Sequence, residues 1–244
     1  MLKQIVITGA SSELGAYLLQ RFSEVPETRI IATMRRSRRH DDVCPPNVRL
    51  LDELDLTKRD ACEQLGREVG AAFSGAFGLI HSVGDFWEHI PFEEFNGDQA
   101  AKMLESHVVT LYNVLEFLLP LMKEKGGGSV VTFSCNSVRY NYPWMAAFTA
   151  SKSAVDSLVR SLANEFSGYG IRLNSLVLAS VKTRKVKQSK PNGDFTHFIS
   201  PHDIFPVAQF LLSSTSFLIN GNSIHLFEHS NRFFDRGYFE RISK

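Results

Sequence analysis

The sequence predicts an α/β protein, built on one doubly wound parallel sheet of about seven strands with helices on both faces. Short, β-branched and almost continuously apolar segments, such as Gln4–Thr8 and Arg29–Met34, are typical of buried parallel strands. Between them lie longer segments whose apolar residues recur at helical spacing. The chain of 244 residues has no internal repeat and suffices for one well-filled core, so residues 1–244 are predicted to form a single domain.

Composition and charge exclude several functions. A formal net charge of +1 argues against bulk electrostatic attraction to nucleic acid or to membrane surfaces. Cys44, Cys62 and Cys135 lie far apart without a Cys-x-x-Cys pair, which indicates a reducing compartment and no metal site. No apolar run is long enough to span a bilayer, and the first one stops at Gly9, unlike a signal peptide. We therefore expect a cytoplasmic protein that binds neither nucleic acid nor membranes.

A glycine-rich turn directly follows the first strand, and Leu14, Leu18 and Phe22 then recur at helical spacing. Strand, turn and helix in this order open a dinucleotide-binding unit, in which pyrophosphate lies at the positively polarised helix N-terminus. A plain structural turn is the alternative. Under the first interpretation the cofactor-binding residues here are Thr8, Gly9, Ser11, Ser12, Glu13, Leu14 and Gly15.

Arginines follow the second strand. Sites for NAD(H) place an acidic residue there for the ribose hydroxyls, but Arg35 and Arg36 come directly after Met34. A guanidinium can bind a 2′-phosphate through two parallel hydrogen bonds, so we expect NADP(H) as the cofactor. The alternatives are a solvated basic loop or a nucleic-acid patch, for which one short basic run in a near-neutral chain is thin evidence.

Five further apolar segments complete the predicted sheet: 48–51, 77–81, 130–133, 171–178 and 222–227. Predicted helices span 58–73, 99–123, 147–166 and 201–213, and Pro120 is expected to end or bend the second of these. An aromatic and charged loop follows the fourth strand. Because loops past the carboxyl ends of parallel strands border the cleft, this loop is either a substrate wall or a packed surface loop. Its candidate residues are Phe86, Trp87 and His89.

The stretch from Ser129 to Ala154 carries the most specific pattern. A strand ends in Ser134 and Cys135, a polar aromatic loop follows, and Lys152 lies on the first turns of the next helix. This arrangement resembles the short-chain dehydrogenase/reductase family, in which a Ser ends the strand and a Tyr-x-x-x-Lys pair lies on the helix. The resemblance implies a Rossmann-type domain and hydride transfer between NADP(H) and a small-molecule substrate.

The resemblance covers roughly residues 3 to 228 and includes the glycine-rich turn. The family pattern T-G-x-x-x-G-x-G is matched at Thr8, Gly9 and Gly15, while Glu13 replaces the middle glycine. That carboxylate would either crowd and repel the phosphates or point outward. The family also implies assembly as a homodimer or homotetramer through the helices 99–123 and 147–166.

Further cofactor contacts are implied by the same resemblance. Asp55 and Leu56 correspond to a pair that touches the adenine ring, although Asp55 could instead cap the next helix. Four residues replace the family's Asn-Asn-Ala-Gly beside the cofactor, namely His81, Ser82, Val83 and Gly84. Val181 and Thr183 are implied near the nicotinamide, and residues 180–200 take the place of the mobile substrate lid, with a surface loop as the alternative.

The central acid of the predicted site is missing. In the family the Tyr donates a proton, the Lys lowers the Tyr pKa and the Ser binds the substrate oxygen. Here Lys152 is retained, but Phe148 stands four positions before it and has no proton to donate. Alignment with the family places Cys135 at the Ser position and His107 at an Asn position. The predicted catalytic residues are Lys152, Cys135, Ser134, His107, Phe148 and Tyr142.

Three functions follow. The first is an atypical NADP(H)-dependent oxidoreductase of a small organic carbonyl, imine or activated alkene, with a proton from His107, His81, Tyr142 or water. The second is a non-redox dehydratase, isomerase or cyclase on the same scaffold. The third is a catalytically inactive NADP(H)-binding or partner protein. Loss of a general acid costs about 10²–10⁴ in rate, which can leave an enzyme slow but active, so we place the oxidoreductase first.

Overall fold

The computed structural model describes residues 2–37, 44–85, 90–189, 191–195 and 198–226. Within these ranges seven parallel strands form one sheet in the order β3-β2-β1-β4-β5-β6-β7, which confirms the predicted fold class. The strands are β1 (Gln4–Thr8), β2 (Arg29–Thr33), β3 (Val48–Leu51), β4 (Phe77–His81), β5 (Gly128–Cys135), β6 (Ile171–Leu178) and β7 (Ser223–Leu226).

The helices of the described residues are α1 (Glu13–Ser23), α2 (Arg59–Ala72), α3 (Gly97–Leu104), α4 (Thr110–Glu124), α5 (Ser137–Tyr140), α6 (Ala146–Phe166), α7 (Arg184–Ser189) and α8 (Pro201–Leu211). None of them is long and apolar enough to cross a membrane.

Two apolar layers cover the sheet, because successive residues of a strand face opposite sides. Val6 of β1 belongs to the layer that contains buried residues of α2, α4 and α6. Its neighbours Ile5 and Ile7 belong to the other layer, with buried residues of α1 and α8. A strand buried on both faces must be apolar at every position, which is why Gln4–Thr8 reads as an almost continuous apolar run.

The predicted helix 99–123 is divided. A π-helical turn, Glu105–Val109, separates α3 from α4, and α4 continues through Pro120 to Glu124, so the proline does not end the helix. His107 lies in the π-helical turn. Such turns occur often at functional sites, because the extra residue re-aims the side chains around it.

The lid region and the last strand also differ from the prediction. Residues 180–200 contain the short helix α7 and an isolated bridge between Val181 and Ile199, rather than loop alone. The last strand spans Ser223–Leu226, within the predicted 222–227. Phe86, Trp87 and His89 of the predicted substrate wall lie outside the described residues.

Candidate active site

Four neighbouring strands end at the same edge of the sheet. Thr8 is in register with His81, and His81 with Thr132, while Cys135 is in register with Leu178. After β1 the chain adds β2 and β3 on one side of that strand and then crosses to β4 on its other side. The connections that follow β1 and β4 therefore leave in opposite directions. Ligands of open α/β sheets bind at such a switch point, beyond the carboxyl ends of the strands.

The turn after β1 is packed too tightly for side chains. Gly9 has φ +76°, and a Cβ there would lie 2.8 Å from the Ser82 carbonyl oxygen. A Cβ at Gly15 would lie 2.3 Å from the Gly9 carbonyl oxygen and 2.7 Å from Ser82 Oγ. Ser82 Oγ in turn donates to the Thr8 carbonyl oxygen at 2.6 Å, so the turns after β1 and β4 hold each other. Both glycines are therefore required by close backbone approach.

The first turn of α1 is built to face an anion. Ser12 caps the helix, and its Oγ accepts from the Gly15 N–H at 2.9 Å. The glycines leave the backbone of this turn accessible, and the helix N-terminus adds a partial positive charge. The turn therefore fits a dinucleotide pyrophosphate.

Glu13 departs from this anion-binding arrangement. Its carboxylate accepts from the Arg184 N–H at 2.7 Å and so joins the start of α1 to the start of α7. Thr183 lies next to this link, with its Oγ1 accepting from the Val186 N–H at 3.3 Å. A negative charge thus stands at the turn that would receive phosphates, and the sequence alone could not say where it points.

Residues predicted at the adenosine end occupy different environments. Arg35 is exposed directly after β2, and Arg36 is half-buried and donates to the Ser37 carbonyl oxygen at 3.0 Å. Asp55 Oδ1 accepts from the N–H and the hydroxyl of Thr57, at 3.1 and 2.9 Å, and so holds the turn before α2. The N-cap of α2 is Lys58 and has no side-chain cap, so Asp55 does not cap this helix as the alternative had it. Leu56 is only 5% exposed and packs in the core.

Beyond the glycine-rich turn, α6 and the π-helical turn bring four groups together. Ser151 Oγ donates to the Phe148 carbonyl oxygen at 2.7 Å and lies 2.8 Å from His107 Nδ1. The His107 and Phe148 rings meet edge to face, with centroids 5.4 Å apart. A Cβ at Gly84 would lie 2.5 Å from the His107 ring and 3.5 Å from Lys152 Nζ, so His107 and Lys152 both lie beside Gly84.

Lys152 is a buried cation. Its Nζ donates to the Phe133 carbonyl oxygen at 3.1 Å and lies 5.8 Å from the centroid of the Phe148 ring. The side chain is only 9% exposed, and burial lowers its pKa from 10.5 to about 8, although the nearby Cys135 and Asp156 act in the opposite direction. At neutral pH Lys152 therefore remains mostly protonated while being a stronger acid than an exposed lysine.

Both buried histidines are neutral at neutral pH. The pKa of His107 is lowered to about 2, first by burial and then by the charge of Lys152. The pKa of His81 is lowered to about 3 by the same two causes. His81 Nδ1 lies 2.8 Å from Thr8 Oγ1, and its buried Nε2 has no hydrogen-bond partner among the described residues. Neither ring is an imidazolium that could donate a proton.

The chain matches the short chain dehydrogenase family over residues 3–193. The chain belongs to this family. It is 24% identical to the uncharacterized oxidoreductase YciK of Escherichia coli over 220 residues, which cover 87% of this chain and 86% of YciK. It is 25% identical to the oxidoreductase asL5 of Sarocladium schorii over 235 residues, which cover 91% of this chain and 93% of asL5.

Solved short-chain dehydrogenases have the same fold. A tyrosine-to-phenylalanine variant of ElxO with NADPH bound superposes with a TM-score of 0.83 at 19% identity, covering 92% of this chain and 97% of that chain. The structure of YciK from Escherichia coli superposes with a TM-score of 0.78 at 22% identity, covering 91% of this chain and 94% of that chain.

In this member of the family, five of the six predicted catalytic residues fall into two groups. Lys152 and His107 lie beside Gly84, and the Phe148 ring lies near both of them. Cys135 and Tyr142 instead pack against Phe148 in a small apolar cluster with Met103 and Met145.

Ser134 belongs to neither of these groups. Its hydroxyl lies close to Asp156, which follows Lys152 by one turn of α6. Burial raises the pKa of Asp156, and the hydroxyls of Ser175 and Ser134 act in the opposite direction. Sequence reasoning missed Asp156 and Ser151. The i, i+3, i+4 and i+8 spacing of Phe148, Ser151, Lys152 and Asp156 on one helix face was the signal available for both.

Proposed function

We propose that the chain is an atypical NADP(H)-dependent oxidoreductase that reduces a small organic carbonyl, imine or activated alkene. Phe148 takes the place of the family's tyrosine, and the Lys152 ammonium donates the proton. One observation carries the proposal: Lys152 Nζ is buried beside Phe148 and Gly84, and Gly84 belongs to the turn after β4 that packs against the glycine-rich turn.

The cofactor assignment rests on the fit of that turn. The pyrophosphate is assigned to residues 8–15, the 2′-phosphate to Arg35 and Arg36, and the nicotinamide half to residues 81–84, Val181 and Thr183. Similar folds are solved with NADP or NADPH bound, which supports the choice of cofactor. When bound, the nicotinamide supplies a hydride to the substrate. Gly9 and Gly15 let the backbone reach the phosphates, and Glu13 must turn away from them.

The proton assignment follows by comparing the groups near Gly84. Phe148 carries no acidic proton, and His107 and His81, with pKa values of about 2 and about 3, are already neutral. The pKa of Lys152, about 8, lies close to the working pH, where a general acid is most effective. In this role a proton leaves Nζ for the developing substrate anion, and the neutral amine then regains a proton from solvent.

A second candidate is an NADP(H)-binding protein without turnover. Two observations favour it. The Phe148 ring lies where a proton donor is needed, and the Glu13 carboxylate stands at the phosphate turn. In that case the chain would bind the cofactor without transferring its hydride.

Binding and turnover measured on the same protein separate the candidates. Calorimetry gives the NADPH affinity, and NADPH oxidation is followed with a panel of ketones, imines and activated alkenes. For the oxidoreductase we expect binding, turnover that falls as pH rises through about 8, and loss of kcat in Lys152→Met with a smaller effect on NADPH affinity. Binding without turnover on any substrate supports the second candidate, and absence of binding contradicts both.

A further inference from the structure

An apolar pocket of about 400 Å³ lies beside Phe148. Its walls come from the start of α6, the residues just before α6, and the segment from Ile90 to Met103. Among the described residues, no charged side chain lines it. The large side chains around it are Phe92, Phe95, Met103, Trp144, Met145 and Phe148. A crevice of about 460 Å³ at the opposite edge of the sheet is lined by Glu27, Arg29 and Arg49 and lacks this apolar character.

A strained backbone conformation and a backbone hydrogen bond shape the walls of the pocket. Trp144 has φ +61°, a left-handed conformation that is unfavourable for a bulky residue and persists only where surrounding contacts impose it. Its carbonyl oxygen accepts from the Ile90 N–H at 3.1 Å, which ties the two walls together. Asn96, a polar lining residue, uses its side-chain oxygen to cap α3 by accepting from the Gln99 N–H at 3.0 Å. Strain of this kind is concentrated at ligand-binding sites.

One ring separates the pocket from the proposed proton donor. Phe148 lines the pocket. The centroid of its ring lies 5.4 Å from the centroid of the His107 ring and 5.8 Å from Lys152 Nζ. The apolar cluster around Phe148 includes Met103, Met145 and Cys135, which lies at the end of β5. Apolar side chains therefore extend from the pocket to Phe148, whose ring centroid lies 5.8 Å from Lys152 Nζ.

We propose that this pocket binds an uncharged apolar small molecule of one or two rings, or an alkyl chain of similar volume, and that this is the apolar arm of the substrate. Its volume is in the range of small-molecule sites, and the described residues that line it offer no partner for a charge. Only the identification of the ligand as substrate rests on the proposed function. The binding of an apolar ligand does not, because it requires neither cofactor nor turnover.

The full chain without NADPH is titrated with N-phenyl-naphthylamine, an uncharged dye that fluoresces in apolar surroundings. Ala100→Phe fills the pocket, whereas Ala101→Phe makes the same change at the next, exposed residue of α3, which does not line it. We expect at least tenfold weaker dye binding in Ala100→Phe, unchanged binding in Ala101→Phe, and at least tenfold weaker binding of a sulfonated naphthylamine to the wild type. Circular dichroism and thermal unfolding verify that both variants fold.

The outcomes separate this proposal from the proposed function. Dye binding without turnover supports the pocket and contradicts only the oxidoreductase. If turnover occurs, Ala100→Phe should raise KM for an aryl ketone far more than for acetone, and an equal effect on both overturns the substrate assignment. Absent dye binding, or equal dye binding in both variants, overturns the pocket. Self-association lost in Ala100→Phe without dye binding would instead assign this face to a contact between copies of the chain.

Discussion

Introducing a phenol by Phe148→Tyr tests the proposed site most directly. The Phe148 ring is 8% exposed, and its centroid lies 5.8 Å from Lys152 Nζ and 5.4 Å from the His107 ring centroid. A tyrosine at this position would place a phenol within the same group of buried side chains. At about 4 Å and an effective dielectric constant of about 20, a phenolate and an ammonium attract by about 4 kcal/mol. That attraction lowers the phenol pKa by about 3 units, and burial opposes it.

The expected gain follows from this arrangement. A positioned general acid contributes about 10²–10⁴ in rate, and Lys152 already supplies part of that in our proposal, so we expect a gain in kcat of about 10². This corresponds to roughly 3 kcal/mol of barrier. The assay is NADPH oxidation with a panel of ketones, with NADPH affinity measured in parallel by calorimetry.

The matched control is Phe166→Tyr, which adds the same hydroxyl to the same helix about 27 Å away at about 1.5 Å per residue. Phe166 is partly exposed, so its new hydroxyl can reach water. The control should leave kcat unchanged. An unchanged or lower kcat in Phe148→Tyr, with NADPH affinity and thermal stability retained, would refute the view that the absent phenol limits the rate.

Three further predictions follow from the same contacts. Because burial lowers the Lys152 pKa from 10.5 to about 8, the unfolded chain binds more protons than the folded chain between these pH values. The stability of the wild type relative to Lys152→Met, measured by urea unfolding, should thus rise by about 3 kcal/mol across this window. Taking the difference between the two proteins removes the opposing contribution of Cys62, whose pKa is raised to about 12. Parallel stability curves for the two proteins would contradict the prediction. Glu13→Ala removes a negative charge at the turn proposed to bind phosphates and should tighten NADPH binding roughly fivefold, as measured by calorimetry. The control Glu24→Ala should leave NADPH binding unchanged. Weaker NADPH binding in Glu13→Ala would count against repulsion by Glu13. Gly15→Ala should abolish NADPH binding because its Cβ would lie 2.3 Å from a backbone oxygen. A Cβ at Gly97 would have no atom within 4 Å, so Gly97→Ala should stabilise the fold by about 0.4–1 kcal/mol in thermal unfolding. Similar effects of the two changes on binding and stability would contradict the steric argument.

Much of the fold could be predicted from local pattern. The period of apolar residues separated strands from helices, and the run Gln4–Thr8 predicted a strand buried on both faces. The prediction of a long, mostly helical segment over 99–123 is confirmed, but it missed the π-helical turn Glu105–Val109. Apolar spacing continues through that turn, so periodicity could not reveal the extra residue that places His107 beside Ser151.

The site was predicted in outline only. The spacing between Phe148 and Lys152 placed both on one helix face from the sequence alone. The contact of Glu13 with Arg184 could not be predicted, since 171 residues separate them and the geometry of α7 decides it.

By itself the sequence determined the order of strands and helices, the glycines of the turn after β1 and the presence of Phe148 four residues before Lys152. These are matters of residue type and local spacing. Only the tertiary structure decided that Lys152 is a buried cation of lowered pKa, that both histidines are neutral, and that an apolar pocket adjoins Phe148. Desolvation and cavity shape depend on atoms brought together from distant parts of the chain, so no local pattern encodes them.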